Sequence, residues 1–109
     1  MKTALPAELQ HLQTNVQAAA DLLRVLANEH RLGVLCALRQ GELSVGALLE
    51  RVGPSQSALS QHLARLRQDG LLATRRTGQT IYYRIADDDV MGLLQALSDV
   101  MHRRRLAAP

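Results

Sequence analysis

The sequence of 109 residues has almost no aromatic side chains and a single cysteine. Phe and Trp are absent, and the two tyrosines are Tyr82 and Tyr83, so the core must be built from aliphatic residues. With Cys36 alone, no disulfide bond can form within the chain, which fits a reducing cytoplasm. No apolar run approaches membrane-spanning length, and the N-terminus lacks the apolar stretch of a secretory signal. We therefore predict a cytoplasmic protein that does not enter a membrane.

Length and composition predict one folded domain. The hydrophobic fraction of 47% with 21% charged residues is typical of a folded globular protein. We expect the domain to span residues 7–105, with a flexible lead-in at 1–6 and a tail at 106–109. The net charge is +3, but residues 51–84 hold six arginines against one aspartate, which gives 6 − 1 = +5. A basic segment in a chain that is otherwise slightly acidic indicates a surface that binds a polyanion.

The chain is organised around residues 55–70, which predict one helix with two unlike faces. Leu59, Leu63 and Leu66 form an apolar stripe of helical period. Ser55 is a good N-cap residue, and Gly70 can end the helix in the left-handed conformation. The rest of the helix presents short hydroxyls, amides and an imidazole, groups that reach base edges and phosphates. A merely solvated polar surface is the alternative interpretation of this face.

Three further helices are predicted before this one. Apolar residues at steps of three or four predict a helix over 7–27, followed by helices over 31–40 and 45–51. Asn28 and Ser44 are the candidate N-caps of the second and third. A short helix, a turn of about four residues and a second helix with a polar face are the arrangement of a helix-turn-helix.

After Gly70 the sequence pattern changes to that of a β-hairpin with a last helix behind it. Ile81, Tyr83 and Ile85 alternate on one side of the returning strand, and Gly78 supplies the turn. A basic hairpin that follows a helix-turn-helix is a wing, which can grip phosphates or enter the minor groove. An ordinary hairpin with solvated arginines is the alternative. Asp87 or Asp88 can cap the last helix.

The first and last helices carry long apolar stripes that a small three-helix core cannot cover completely. We expect these stripes to pack together and against a second copy of the chain, as a two-fold homodimer. Such a dimer would place two recognition helices about one DNA turn apart on a palindrome. The alternative is that both stripes are covered within one chain. The predicted interface residues are Leu9, Leu12, Val16, Val90, Leu94, Leu97 and Met101.

Four stretches resemble the ArsR/SmtB family of winged-helix repressors: residues 26–38, 41–49, 55–72 and 75–85. The resemblance implies a mainly α fold of four helices, a β-hairpin and a fifth helix, forming a homodimer through the first and last helices. It implies a repressor that binds a palindromic operator in double-stranded DNA. The positions that it assigns to DNA contact are Ser55, Gln56, Ser57, Ser60, Gln61, His62, Arg65, Arg75, Arg76 and Gln79.

The family's two metal-sensing sites are absent from this sequence. Members with a metalloid site carry cysteines where this chain has residues 42–46, a stretch without a thiol. Members with a second site use carboxylate and imidazole ligands at the positions of Asp87, Asp89, Val100 and Arg103. Two carboxylates remain there, but no imidazole follows, and zinc requires N or S ligands in a tetrahedral set. We therefore predict no metal and no cofactor, and the small inducer stays unknown.

The nearest resemblance is to the HlyU/BigR-like branch of that family, which senses reactive sulfur or oxidants through two cysteines. Cys36 occupies the first of these positions, and His102 occupies the second. Three interpretations of Cys36 stay open. It is a buried core residue, a single reactive thiol with His102 beside it, or one ligand of a metal site with His30 or His11.

Two other classes of function compete with a DNA-binding repressor. A winged helix can dock a protein instead of DNA, although the basic segment disfavours this. A repressor with a metal or organic inducer at an unrecognised site is a variant of the first hypothesis. An enzyme is disfavoured, because no nucleophile with its base, phosphate-binding loop or paired metal motif is present.

Overall fold

The computed structural model describes residues 6–53 and 55–107. Over these residues the chain forms six α-helices, one turn of 3-10 helix and three short antiparallel strands. Most of the predicted lead-in, and residues 108–109 of the predicted tail, lie outside the described residues. The elements are α1 (Ala7–Thr14), α2 (Val16–Leu26), α3 (Glu29–Ala37), a 3-10 turn (Leu38–Gln40), β1 (Leu43–Ser44), α4 (Val45–Val52), α5 (Gln56–Gln68), β2 (Leu72–Thr77), β3 (Thr80–Ile85) and α6 (Asp88–Ala107).

The predicted first helix over 7–27 is divided in two at Asn15. Asn15 leaves the helical conformation, with φ −115° and ψ 28°. Its backbone N–H donates to the carbonyl oxygens of His11 and Leu12, each at 3.1 Å, and its side-chain amide donates to His11 O at 2.8 Å. Asparagine competes for backbone groups in this way and so ends helices. The apolar steps continue across the break, which is why the sequence pattern predicted one helix.

Helices α3, α4 and α5 pack around an aliphatic core. Val34 and Leu35 of α3, Leu48 of α4 and Leu59 of α5 are fully buried. Leu63 and Leu66 of α5 complete the stripe that the sequence predicted, and both are buried. Because a buried leucine contributes roughly 1.5–3 kcal/mol to folding, this stripe fixes which side of α5 faces solvent.

The predicted capping residues act as expected. The Asn28 side chain accepts hydrogen bonds from the N–H groups of His30 and Arg31, both at 3.0 Å. Ser44 Oγ accepts from Ala47 N–H at 3.2 Å. Each such cap contributes about 1 kcal/mol. Gly70 has φ 80°, the left-handed conformation that ends α5.

The hairpin lies within a three-stranded sheet of order β1-β3-β2. Strand β1, which the sequence analysis did not predict, is two residues long and pairs Leu43 with Tyr83. The hairpin turn is Gly78-Gln79, and Gly78 has φ 61°, the pattern of a type II′ turn that matches strand twist. The sheet thereby attaches the wing to the chain segment that leads directly into α4.

Helix α6 starts behind the sheet, where Asp87 Oδ1 accepts a hydrogen bond from Asp89 N–H at 2.9 Å. Val90 and Leu94 are 1% and 4% exposed and belong to the core of the single chain. Their prediction as dimer-interface residues is corrected to a primary role in the core, since side chains this buried offer little surface to a second copy. Leu97 and Met101, further along α6, are 40% and 56% exposed. None of the described helices is long and apolar enough to span a bilayer.

Candidate nucleic-acid interface

The side of α5 opposite its buried leucines is exposed and polar. Ser57, Gln61, Ala64 and Gln68 recur at steps of four, three and four and form one continuous exposed face. The side chain of Ala64, in the middle of this face, is small, so that the polar groups on either side are accessible. The arrangement is that of a recognition helix, which needs a narrow, exposed surface to enter a major groove.

The start of α5 is capped by Ser55, the N-cap residue that the sequence pattern predicts. Ser55 Oγ accepts a hydrogen bond from Ala58 N–H at 3.2 Å and lies 3.3 Å from Ser57 Oγ. Ser55 thus holds the first turn of α5. The uncapped N–H groups beside it point outwards from the positive end of the helix dipole, which suits a phosphate.

An open groove separates the N-terminal half of α5 from the wing. Its lining brings together Gln56 and Ser60 of α5, Gln79 of the hairpin turn and Thr80 of β3. The first three were predicted DNA-contact residues, and Thr80 was not. Because these residues come from separate parts of the chain, the fold assembles one polar surface from α5 and the wing.

His62 does not share the exposed face of α5. Its ring is half-buried and lies against His30 of α3, with ring centroids 5.6 Å apart. Burial lowers the pKa of His62, and the charge of Arg31 and the neighbouring His30 act in the same direction. The Arg31 guanidinium is itself held by backbone carbonyls, with Nε donating to Val25 O at 2.6 Å. These effects favour the neutral ring, and His62 contributes to the packing of α5 against α3.

Two predicted DNA-contact arginines are already paired within the chain. Arg65 Nε donates to Asp69 Oδ2 at 2.8 Å, one turn further along α5. Arg75 Nε donates to both carboxylate oxygens of Glu42 at 3.1 Å. Both pairs are partly exposed, and each carboxylate offsets the positive charge of its arginine.

The positive charge of residues 51–84 is less concentrated on one surface than the count of six arginines suggests. Besides the two paired arginines, Arg51 lines a groove beside Cys36, and Arg84 lies close enough to Glu42 to help lower the pKa of that carboxyl. Arg76, on the wing strand β2, is exposed and takes part in no ion pair within the described chain. Of the predicted phosphate contacts on the wing, Arg76 is therefore the arginine that has no carboxylate partner among the described residues.

Cys36 is exposed, so its interpretation as a buried core residue is wrong. It lines a groove between α3 and α6 together with Leu32, Leu97 and Met101. The described residues that line this groove do not include His102, which is exposed on α6. The thiol thus lies beside the exposed apolar residues of α6, and His102 is not brought against it in the single chain.

No metal-binding group occurs in the part of the chain that the structure describes. No three His, Cys, Asp or Glu side chains within residues 6–53 and 55–107 come together closely enough to hold an ion. His30 is paired with the His62 ring and lies 3.8 Å from Glu29, through the atoms Nε2 and Oε1. The structure does not bring Cys36 and His30 into one group with a third ligand.

A family model for bacterial regulatory proteins of the arsR family matches residues 28–74. The transcriptional activator HlyU of Vibrio cholerae is 48% identical to this chain over 92 residues, which cover 84% of the chain and 85% of HlyU. The nodulation protein NolR of Rhizobium meliloti is 50% identical over 86 residues, covering 79% of the chain and 70% of NolR.

A solved structure of another regulator has the same fold as this chain. The transcriptional repressor BigR of Xylella fastidiosa superposes with a TM-score of 0.79 at 35% sequence identity, covering 84% of this chain and 93% of BigR. The matched family segment includes α3, α4 and α5 and therefore the whole helix-turn-helix.

Proposed function

The chain belongs to the arsR family of bacterial regulatory proteins and is a winged-helix DNA-binding regulator, and we propose that it is a repressor that binds a palindromic operator as a homodimer. The observation that carries the proposal is the exposed polar face of α5 beside the wing, opposite a fully buried leucine stripe. Such a face has no role in the core of the chain. Its size and chemistry fit a major groove.

The exposure and the internal contacts of each side chain guide the choice of DNA contacts that we propose. Ser57 and Gln61 lie in the N-terminal half of the exposed face and would read base edges, with Gln56, Ser60 and Gln79 flanking them. Ser55, at the helix start, and Arg76, on the wing, would contact phosphates. We assign His62 to the support of α5 and Arg65 to its pair with Asp69, because both are engaged within the chain.

Homodimer formation is supported by large apolar side chains that one chain leaves uncovered. These lie on α1 and α2, the two parts of the predicted first helix, and on α6, the last helix. Large exposed apolar side chains of this kind are typical of an interaction surface. We therefore propose that the first and last helices pack against a second copy. The exposed residues are Leu9, Leu12, Val16, Leu23, Leu97 and Met101.

Salt dependence tests DNA binding and identifies the phosphate contact. The wild-type chain should bind DNA from upstream of its own gene, with a logarithmic affinity that falls steeply with logarithmic salt. Arg76→Ala should weaken binding to operator and random DNA alike and reduce the slope by about 0.9 for each phosphate that is no longer neutralised. Fluorescence anisotropy over a salt series measures both quantities. An Arg76→Ala slope equal to that of wild type would contradict wing contact with phosphate.

The same titration separates this proposal from a protein-docking winged helix. A docking module would show no operator preference, and its complexes would respond only weakly to salt. Repression itself is tested with a reporter fused to the upstream DNA, whose output should fall when the chain is expressed. A rise in output would instead indicate an activator, the function in the name of the related HlyU.

We also propose that modification of Cys36 releases the DNA. The exposed thiol lies in the groove that Leu97 and Met101 line, so a group added to it would alter the proposed dimer face. A polysulfide can transfer one sulfur atom to the thiolate, which becomes a persulfide while the polysulfide is shortened by one sulfur. A metal or organic inducer at another site is the alternative.

Cys36→Ser tests this switch directly. Treatment of the reduced wild type with sodium tetrasulfide should lower its operator affinity about tenfold, by analogy with ordinary coupling energies between two sites. Cys36→Ser should bind equally before and after treatment. Anisotropy at one fixed salt concentration gives all four values. Tight binding by the treated wild type would show that Cys36 is not the sensor, and the inducer would have to act elsewhere.

A further inference from the structure

A row of side chains crosses the outer face of the sheet from one edge to the other. Arg75 on β2 and Ser44 on β1 both stand opposite Tyr82 of the central strand β3. The guanidinium carbon of Arg75 lies 4.5 Å from the centre of the Tyr82 ring. Beyond the ring, the guanidinium reaches Glu42, two residues before Ser44. The contact therefore joins residues that are 33 positions apart and belong to different parts of the fold.

The guanidinium of Arg75 is engaged on all three of its nitrogen atoms. Nε donates to both carboxylate oxygens of Glu42 at 3.1 Å, and Nη2 donates to Glu42 Oε1. Nη1 donates to Thr77 Oγ1 at 2.6 Å. A two-pronged arginine–carboxylate contact fixes direction as well as distance. The pair is neutral overall, so Arg75 contributes little to the positive potential of the wing.

The inner face of the sheet packs on the helices through Leu72, Tyr83 and Ile85, and the Glu42–Arg75 contact adds a directional polar link on the outer face. Strand β1 is only two residues long and leads directly into α4, whereas β2 and β3 continue to the hairpin tip. Glu42 lies at the start of this short link, and Arg75 lies on the far edge strand. The contact between them thus spans the full width of the sheet, from the strand that leads into α4 to the edge strand of the wing.

We propose that Glu42 and Arg75 are positioning residues that hold the wing in register with α5, and that Arg75 does not contact phosphate. The inference rests on the proposed DNA-binding function and deepens it. Exposed ion pairs contribute little to global stability, so the pair is expected to act on operator recognition more than on folding. The hydrogen bond from Arg75 also holds the pKa of Glu42 below its ordinary range, so the carboxylate is charged throughout the physiological range.

A cycle of neutral substitutions tests the pair: Glu42→Gln, Arg75→Gln and the double variant. The measured quantity is the ratio of operator affinity to affinity for random DNA of equal length. Each single variant should lower this ratio about three- to tenfold, and the double variant should lose no more than either single one. A change caused by net charge alone would alter the affinities for operator and random DNA in parallel and would leave this ratio near that of wild type.

Arg76→Gln is the matched control, since Arg76 neighbours Arg75 on the same strand but faces the other side of it. Arg76→Gln should reduce the salt slope on random DNA by about 0.9, because one phosphate is no longer neutralised, while Arg75→Gln should leave that slope within a few tenths of wild type. Equal reductions in the two variants would overturn the proposal, as would losses that simply add in the double variant.

A spectroscopic measurement reports on the pair without DNA. In an NMR spectrum of the full chain, the Arg75 Nε–H resonance should be resolved and protected from exchange in wild type and absent in Glu42→Gln. An unprotected resonance in wild type would overturn the proposal. If wild type binds no DNA specifically, the proposed function fails instead, and the NMR result still decides whether the pair exists.

Discussion

A Leu97→Asp variant is expected to be monomeric and to lose specific operator binding. Leu97 is exposed on α6 beside Met101, and a carboxylate there would be desolvated by any second copy that covers this face. A monomer binds DNA through a single α5 helix, so its binding is not strengthened by a second, linked α5 helix on the same operator. Operator affinity should therefore fall by about two orders of magnitude. Sedimentation velocity measures the association state, and anisotropy measures the DNA affinity.

Ala96→Asp is the matched control for Leu97→Asp. Ala96 is exposed on the same helix, on the side away from Leu94 and Met101, and the variant introduces the same charge. It should sediment as wild type does and keep its operator affinity. A Leu97→Asp protein that still sediments as a dimer would show that the interface lies elsewhere on the surface.

A Gln61→Ala variant is expected to cost roughly 1–3 kcal/mol on the operator and to relax base preference at one position. Gln61 stands in the middle of the exposed face of α5, and its amide can pair with a base edge through two hydrogen bonds. Anisotropy with the operator and with single-base variants of it measures both effects. Affinity for random DNA should stay close to that of wild type.

Gln68→Ala provides the control for this prediction. Gln68 lies on the same face as Gln61 but seven residues further on, about 10 Å along the helix axis. Because a recognition helix reads bases with its N-terminal part, Gln68→Ala should leave base preference unchanged. If Gln61→Ala weakens operator and random DNA equally, Gln61 does not read a base.

The local features of the fold were predictable because each depends on a few neighbouring residues. Ser55, Asn28 and Ser44 cap their helices through side-chain oxygens that reach no further than three residues. The leucine stripe of α5 follows from helical period alone, and the confirmed winged-helix architecture follows from the order of these elements. The exposed polar face of α5 was predictable for the same reason, because it is the side of the helix opposite the buried leucines.

The features that the sequence did not reveal depend on distant contacts or on a competition between local ones. Nothing in the sequence indicates that Glu42 meets Arg75 across 33 residues, and the family resemblance assigned Arg75 to DNA contact without that information. The contact of His62 with His30 depends in the same way on how α5 crosses α3. The break at Asn15 is a local competition in which the asparagine amide outweighed the apolar pattern on both sides.

That break makes the first eight helical residues a separate arm with consequences for assembly. None of the α1 residues, all of which the structure describes, is buried, although Leu9 and Leu12 give the arm an apolar side. A helix this short is marginal in water without a surface to pack on. If α1 packs on the second copy in the proposed homodimer, ordering of the arm and association of the two chains are thermodynamically linked, so that each favours the other. Substitutions in α1 that change only its helix propensity would then shift the monomer–dimer equilibrium. Occupancy of the operator would change with it, although no residue that contacts DNA is altered.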